Sequence, residues 1–308
     1  MSSRLHIKYG WLRALVFFFV AMLMGGLIAS FIFEGIYRGL FGGTNNGQPS
    51  LLFIFISYII NQIGVLACLW IFRKSIDGLP IFSLGLNWKG FTKDAYVGFG
   101  VAILTISAGT ILMYFGNNLT LHTEKFDLLN TLVATFLFIL VAFIEEIVVR
   151  GYVLNNLMQS MNRWLALFIS ALLFSLMHKG NPDITLVAQV NIFIAGILLG
   201  VNYIYTKNLW FAIFFHFAWN FFQGVILGYH VSGMSIDSGL FSVSTTGPEE
   251  ITGGIFGFEG SIFAAILQVI AIISLAIYYE KIYGKRLVNV KSKKVEPTLE
   301  SENIALED

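Results

Sequence analysis

The sequence predicts an all-α membrane protein: a bundle of about eight transmembrane helices with both termini on the cytoplasmic side. Three observations carry this expectation. Of 308 residues, 56% are hydrophobic and only 12% are charged, against roughly 25% charged in soluble domains, and the mean hydropathy is +0.76. Apolar runs of about 20 residues, the length that crosses a bilayer core, recur along the chain. Lys and Arg gather in alternate loops, as the positive-inside rule requires.

The spans are expected at roughly 11–33, 51–72, 95–115, 128–148, 164–178, 184–206, 209–229 and 261–280. The first run has no small-residue cleavage site after it and reads as a retained span, not a signal peptide. The fifth is the shortest and ends at His178. With eight spans, Arg4, Lys8 and Arg13, then Arg73, Lys74, Lys89 and Lys93, then Arg150 and Arg163, and finally the basic stretch from Lys281 to Lys294 share the cytoplasmic side. The opposite side carries only Arg38, Lys125 and Lys179, and its long Gly- and Ser-rich loop 230–260 reads as mobile or lid-like. Residues 1–280 form one polytopic domain with its chemistry expected in about 128–225. Residues 281–308 form a basic-then-acidic cytoplasmic tail expected to lack fixed structure. No basic stripe with interleaved aromatics points to nucleic acid. The single cysteine, Cys68, excludes internal disulfides and cysteine metal clusters.

Two adjacent glutamates interrupt the fourth span. Residues 128–144 carry no charge, and then come Glu145, Glu146, three apolar residues and Arg150. Ionisable groups at such a place are expensive and usually functional. Glu146 and Arg150 are four apart and share a helix face, so they can pair. Glu145 is turned about 100° away and is the freer carboxylate. In an apolar site such a group can act as a general base near neutral pH. The bland reading is a salt bridge at a helix end.

His178 closes the fifth span, one helical turn after Phe174. Alone it reads as an interfacial histidine. His216 and Asn220 lie four apart on one face of an aromatic helix; the bland alternative is an interhelical polar contact, worth about 0.6 kcal/mol in membranes. In the sixth span Gly196 and Gly200 read as close helix packing, and Asn191 as a packing or supporting polar group. His6, His122 and His230 fall outside or at the edge of the spans and are assigned nothing. Together, EExxxR, FxxxH and HxxxN on three successive candidate spans are far more specific than any one of them. A Glu and a His can polarise a water molecule, and a second His with an Asn can stabilise an oxyanion. This is the toolkit for hydrolysing an amide by direct water attack.

On these residues the sequence resembles the CPBP family, the CAAX-protease and bacteriocin-processing intramembrane endopeptidases. Glu145-Glu146-Ile147-Val148-Val149-Arg150, Phe174-Ser175-Leu176-Met177-His178 and His216-Phe217-Ala218-Trp219-Asn220 are similar to its three motifs, and Asn191 with Gly196 and Gly200 also fits. The likeness covers roughly 128–225, with a weaker echo at 83–86. It implies a bundle with a conical cavity, Glu145 activating a water, His178 helping to hold it, and His216 with Asn220 forming an oxyanion hole. Glu146 and Arg150 would support them, and no cofactor would be needed. It also implies a hydrophobic or lipidated peptide or protein as substrate, met within the bilayer of a cell membrane. The host reads as bacterial, so the expected site is the inner membrane.

Three other readings compete. A zinc metalloprotease would use His178, His216 and a glutamate as ligands, although the chain has no HExxH and Asn220 is a poor zinc ligand. A non-catalytic immunity or scaffold protein would bind a peptide in the same cavity. A proton-coupled transporter also uses buried Glu and His, but no inverted repeat is visible. One tension concerns depth. If the fourth span ends near residue 148, Glu145 lies near the cytoplasmic face, whereas His178 would lie about 22 Å in at 1.5 Å per residue.

Overall fold

The computed structural model describes residues 7–32, Gly35, 51–236 and 239–293, with side chains described as far as Gly284. Arg4, His6, Arg38, Asp237 and the acidic stretch after Lys293 therefore lie outside the described residues. Among the described residues, principal helices lie at each of the expected places. They are α1 (Gly10–Ser30), α2 (Leu51–Ile71), α3 (Thr92–Phe115), α4 (Leu128–Glu146), α5 (Arg163–Met177), α6 (Leu186–Val201), α7 (Trp210–Asn220) and α8 (Ile262–Lys293). Among the described residues six helical segments are long and apolar enough to cross a membrane. Arg163–Met177 and Trp210–Ile226 are shorter apolar helices.

Local chemistry sets the helix starts. Asp127 accepts the Asn130 N–H, Asn162 accepts those of Trp164 and Leu165, and Thr185 accepts that of Ala188. Each satisfies amides that a helix N-terminus would otherwise leave bare. The extension of α6 stops at Thr206, where Lys207 turns left-handed at φ 53°. Two glycines let backbones touch. Gly98 of α3 lies against the Phe211 carbonyl of α7, and Gly196 of α6 lies against Ala171 of α5, where an added Cβ would sit 2.8 Å from the Ala171 Cα. The expectation of close packing at Gly196 thus matches the geometry.

The ends rich in basic residues are locked together by two buried carboxylates. Asp77 meets Arg73 at 2.8 Å and Arg13 at 3.4 Å, joining the end of α2 to the start of α1. Asp94 accepts from Asn202 at 3.1 Å and from Tyr279 at 2.6 Å, joining α3, α6 and α8. Arg163 reaches Glu280 at 2.8 Å.

Four details go beyond what the sequence led one to expect. The fourth span does not end near 148. It continues as a π-helical stretch, Ile147–Leu154, and a last turn, Asn155–Leu157, to make 30 residues. Glu145 therefore sits roughly 15–18 Å from the end of that helix at helical rise, and the depth mismatch with His178 disappears. The charges do not end the helix because they are compensated inside the bundle. Second, the all-α architecture expected from the sequence holds, with one small addition: β1 (Leu119–Thr123) pairs antiparallel with β2 (Phe241–Thr245). Third, the described part of loop 230–260 is a folded cap. It contains a tight turn bridged between Val231 and Met234, the strand β2 and three short helical turns, and it buries Phe256 and Phe258 completely. Fourth, α8 runs on through the basic stretch of the tail to Lys293.

Candidate active site

Glu146 turns into the core and is fully buried, as is Arg150. Its Oε1 accepts from Arg150 Nη1 at 2.9 Å and from His216 Nδ1 at 2.9 Å. Arg150 also donates Nη2 to the Gly196 carbonyl at 3.0 Å, and its guanidinium lies 4.3 Å over the Phe174 ring. The pairing expected from the i,i+4 spacing is present. It is one limb of a larger unit that joins α4, α5, α6 and α7. Gly196 has a second use here: its lack of a side chain brings α6 close to α5, and its carbonyl lies within reach of Arg150.

Glu145 faces the other way. Its Oε2 is 3.8 Å from His178 Nε2, and the two side chains are 19% and 13% exposed. His178 caps the end of α5, and its Nδ1 donates to the Phe174 carbonyl at 2.8 Å. In the neutral ring that bond leaves Nε2 as a bare acceptor aimed at the carboxylate. Two acceptors 3.8 Å apart do not bond to one another, but a water between them can donate to both. Phe174 is the spacer for the whole cluster. Its ring is 4.5 Å from that of His178 and 6.3 Å from that of His216.

His216 and Asn220 are both buried and lie one turn apart on α7. Because His216 Nδ1 donates to Glu146, its Nε2 is the nitrogen free to meet a ligand. A cavity of about 370 Å³ is lined by Glu145, His178, His216 and Asn220 together. Its other walls are largely apolar and come from α1, α2 and α4, with Val231 and Ser232 of the cap. Asn191 does not bond to this group. Its Nδ2 donates to the carbonyls of Glu259 and Ser261, both at 2.7 Å, and so ties the cap to α6. Sequence reasoning missed Glu259. Its carboxylate accepts from Trp219 Nε1 at 3.0 Å and from the Ser232 N–H and O–H at 2.8 and 2.9 Å. Thus one side chain joins the cap turn to the stretch of α7 between His216 and Asn220. No local pattern signals this, because the partners lie 27 and 40 positions away.

The histidine and glutamate donors do not converge as a metal site. Among the described residues no group of three or more His, Cys, Asp or Glu is arranged to hold an ion.

A Glu–His pair beside two hydrogen-bonding groups thus lines a cavity walled by apolar helices and a folded cap, an arrangement that suits an intramembrane peptidase. The family model described as "Rce1-like: Type II CAAX prenyl endopeptidase Rce1-like" matches residues 127–222. That segment holds all three motifs, so the likeness to the CAAX-protease family read from the sequence holds, and with it a multi-pass membrane endopeptidase acting on a peptide. No curated protein and no solved structure matches the chain.

Proposed function

We propose that the protein is a glutamate-dependent endopeptidase that cleaves a hydrophobic or lipidated peptide within the bilayer by direct attack of water. The observation that carries this is the 3.8 Å gap between Glu145 and His178 on the wall of a cavity shared with His216 and Asn220. A water in the gap donates one O–H to Glu145 and the other to His178 Nε2, leaving a lone pair free to face a scissile carbonyl. Glu145 takes the proton as the C–O bond forms. The oxyanion receives hydrogen bonds from Asn220 Nδ2 and His216 Nε2. Donation from Nε2 requires the imidazolium, because Nδ1 keeps its proton on Glu146, and the Glu146 carboxylate compensates that charge. Protonated Glu145 then delivers its proton to the departing amine as the C–N bond breaks.

No step calls on a metal or cofactor. The walls are aliphatic and aromatic, which suits a peptide carrying an apolar chain. Lys and Arg placement supports an orientation with both termini cytoplasmic. Comparative proteomics of membrane and secreted peptides from cells carrying the wild type or Glu145→Gln tests the proposal. Peptides released only by the wild type support it, and their sequences name the substrate. Complementation by the variant would instead support an immunity or scaffold role. Stoichiometric zinc, with activity lost on chelation, would support the metalloprotease reading.

A further inference from the structure

A second, smaller chamber of about 40 Å³ shares part of the cavity wall. His178, His216, Asn220 and Ser232 border both spaces, and Asn191 and Gln268 border only the smaller one. Asn191 and Gln268 are each 1% exposed, yet Asn191 Oδ1 and Gln268 Oε1 are buried with no hydrogen-bond partner in the protein. Buried polar atoms are rarely left so, and each one asks for an explanation. A flipped amide does not explain Asn191. Its Nδ2 donates to two carbonyls at 2.7 Å, and reversal would set oxygen against oxygen. Asn191 Oδ1 is thereby fixed as an acceptor, so its partner must be a donor. A space of this size takes on the order of one or two waters, and buried polar cavities hold water where apolar ones stay dry.

We propose that this chamber is a water-holding site that supplies the hydrolytic water to Glu145 and His178. The inference rests on the hydrolytic reading above. Every bond cut consumes one water, and an apolar peptide seated in the larger cavity displaces the water there. The smaller chamber is bordered by His178 directly, and shares His216, Asn220 and Ser232 with the larger cavity. Its water therefore remains beside His178, one partner of the pair, when substrate is bound.

The decisive measurement is a crystal structure of the whole protein at about 2 Å, with and without Gln268→Leu. Ordered water hydrogen-bonded to Asn191 Oδ1 or Gln268 Oε1 in the wild type, and lost in the variant, is expected. A dry wild-type chamber overturns the proposal. The kinetic arm compares Gln268→Leu with Gln268→Ala on a peptide released by the wild type and not by Glu145→Gln. Leucine removes the acceptor and fills the space, so kcat falls about tenfold with KM unchanged. Alanine enlarges the space, which water then fills, so kcat stays closer to the wild type. A purely structural glutamine would give the reverse order, because alanine leaves the larger packing defect, and that result also overturns the proposal. Undiminished cleavage by Glu145→Gln would sink the hydrolytic reading itself, whereas a dry chamber beside an inactive Glu145→Gln would sink only the supply site.

Discussion

Replacing Arg150 with methionine separates the stability of the site from its chemistry. Methionine roughly fills the volume but removes the Glu146 ion pair, the donor to Gly196 and the cation over Phe174. Breaking a fully buried pair by deleting one partner costs about 3–5 kcal/mol, because a charge is left behind. His216 still contacts Glu146, which places the expected loss near the lower end, about 3 kcal/mol. The contact with Phe174 overlaps with this loss and is not additive to it. The informative comparison is the double variant Glu146→Leu, Arg150→Met. With both charges gone no ion is stranded, and stability should return to within about 1–2 kcal/mol of the wild type or exceed it. Activity should not return, since His216 Nδ1 has lost the acceptor that orients the ring. Reversible unfolding in mixed micelles reads the first quantity and cleavage in proteoliposomes the second. A single variant as stable as the wild type, or an active double variant, would refute this account of the Glu146–Arg150–His216 cluster.

Three further outcomes are expected. Gly196→Val drives a side chain into the Ala171 backbone and should cost about 1–3 kcal/mol, with α5 and α6 separating enough to weaken the Arg150 contact; unfolding in micelles measures it. His178→Ala removes one of the two groups that hold the water and should lower kcat by about 10²–10⁴-fold with little change in KM, read by steady-state cleavage. Glu259→Gln weakens the charge-assisted bonds to Ser232 and Trp219, worth about 1.5–3 kcal/mol. Hydrogen exchange at residues 231–234 should then speed up roughly ten- to hundredfold, and unchanged exchange there would remove Glu259 as the anchor of the cap.

Most of the fold and the identity of the candidate groups were legible because both are written in local pattern. Runs of apolar residues located the principal helices among the described residues, and the i,i+4 spacings of Glu146 with Arg150 and His216 with Asn220 placed each pair on one face. What escaped was long-range. The fourth span was cut short because two glutamates and an arginine resemble a helix end. Their compensation comes from His216 and the Gly196 carbonyl, 70 and 46 positions from the groups they meet. With it the helix continues through a π-helical stretch, a feature often found beside functional sites. The strand 119–123 pairs with one more than 100 residues later, and nothing in either pentapeptide announces the other. The loop 230–260 reads as mobile by its glycines and serines, yet in its described part Glu259, Phe256 and Phe258 fold it against the cavity.

The most direct test of the central claim is the rate of peptide cleavage by purified Glu145→Gln in liposomes, set beside its unfolding midpoint. Glutamine keeps the shape but cannot take a proton from water. The account therefore predicts an intact fold with cleavage reduced by at least about 10²–10⁴-fold. Cleavage at the wild-type rate by a folded Glu145→Gln protein would contradict it.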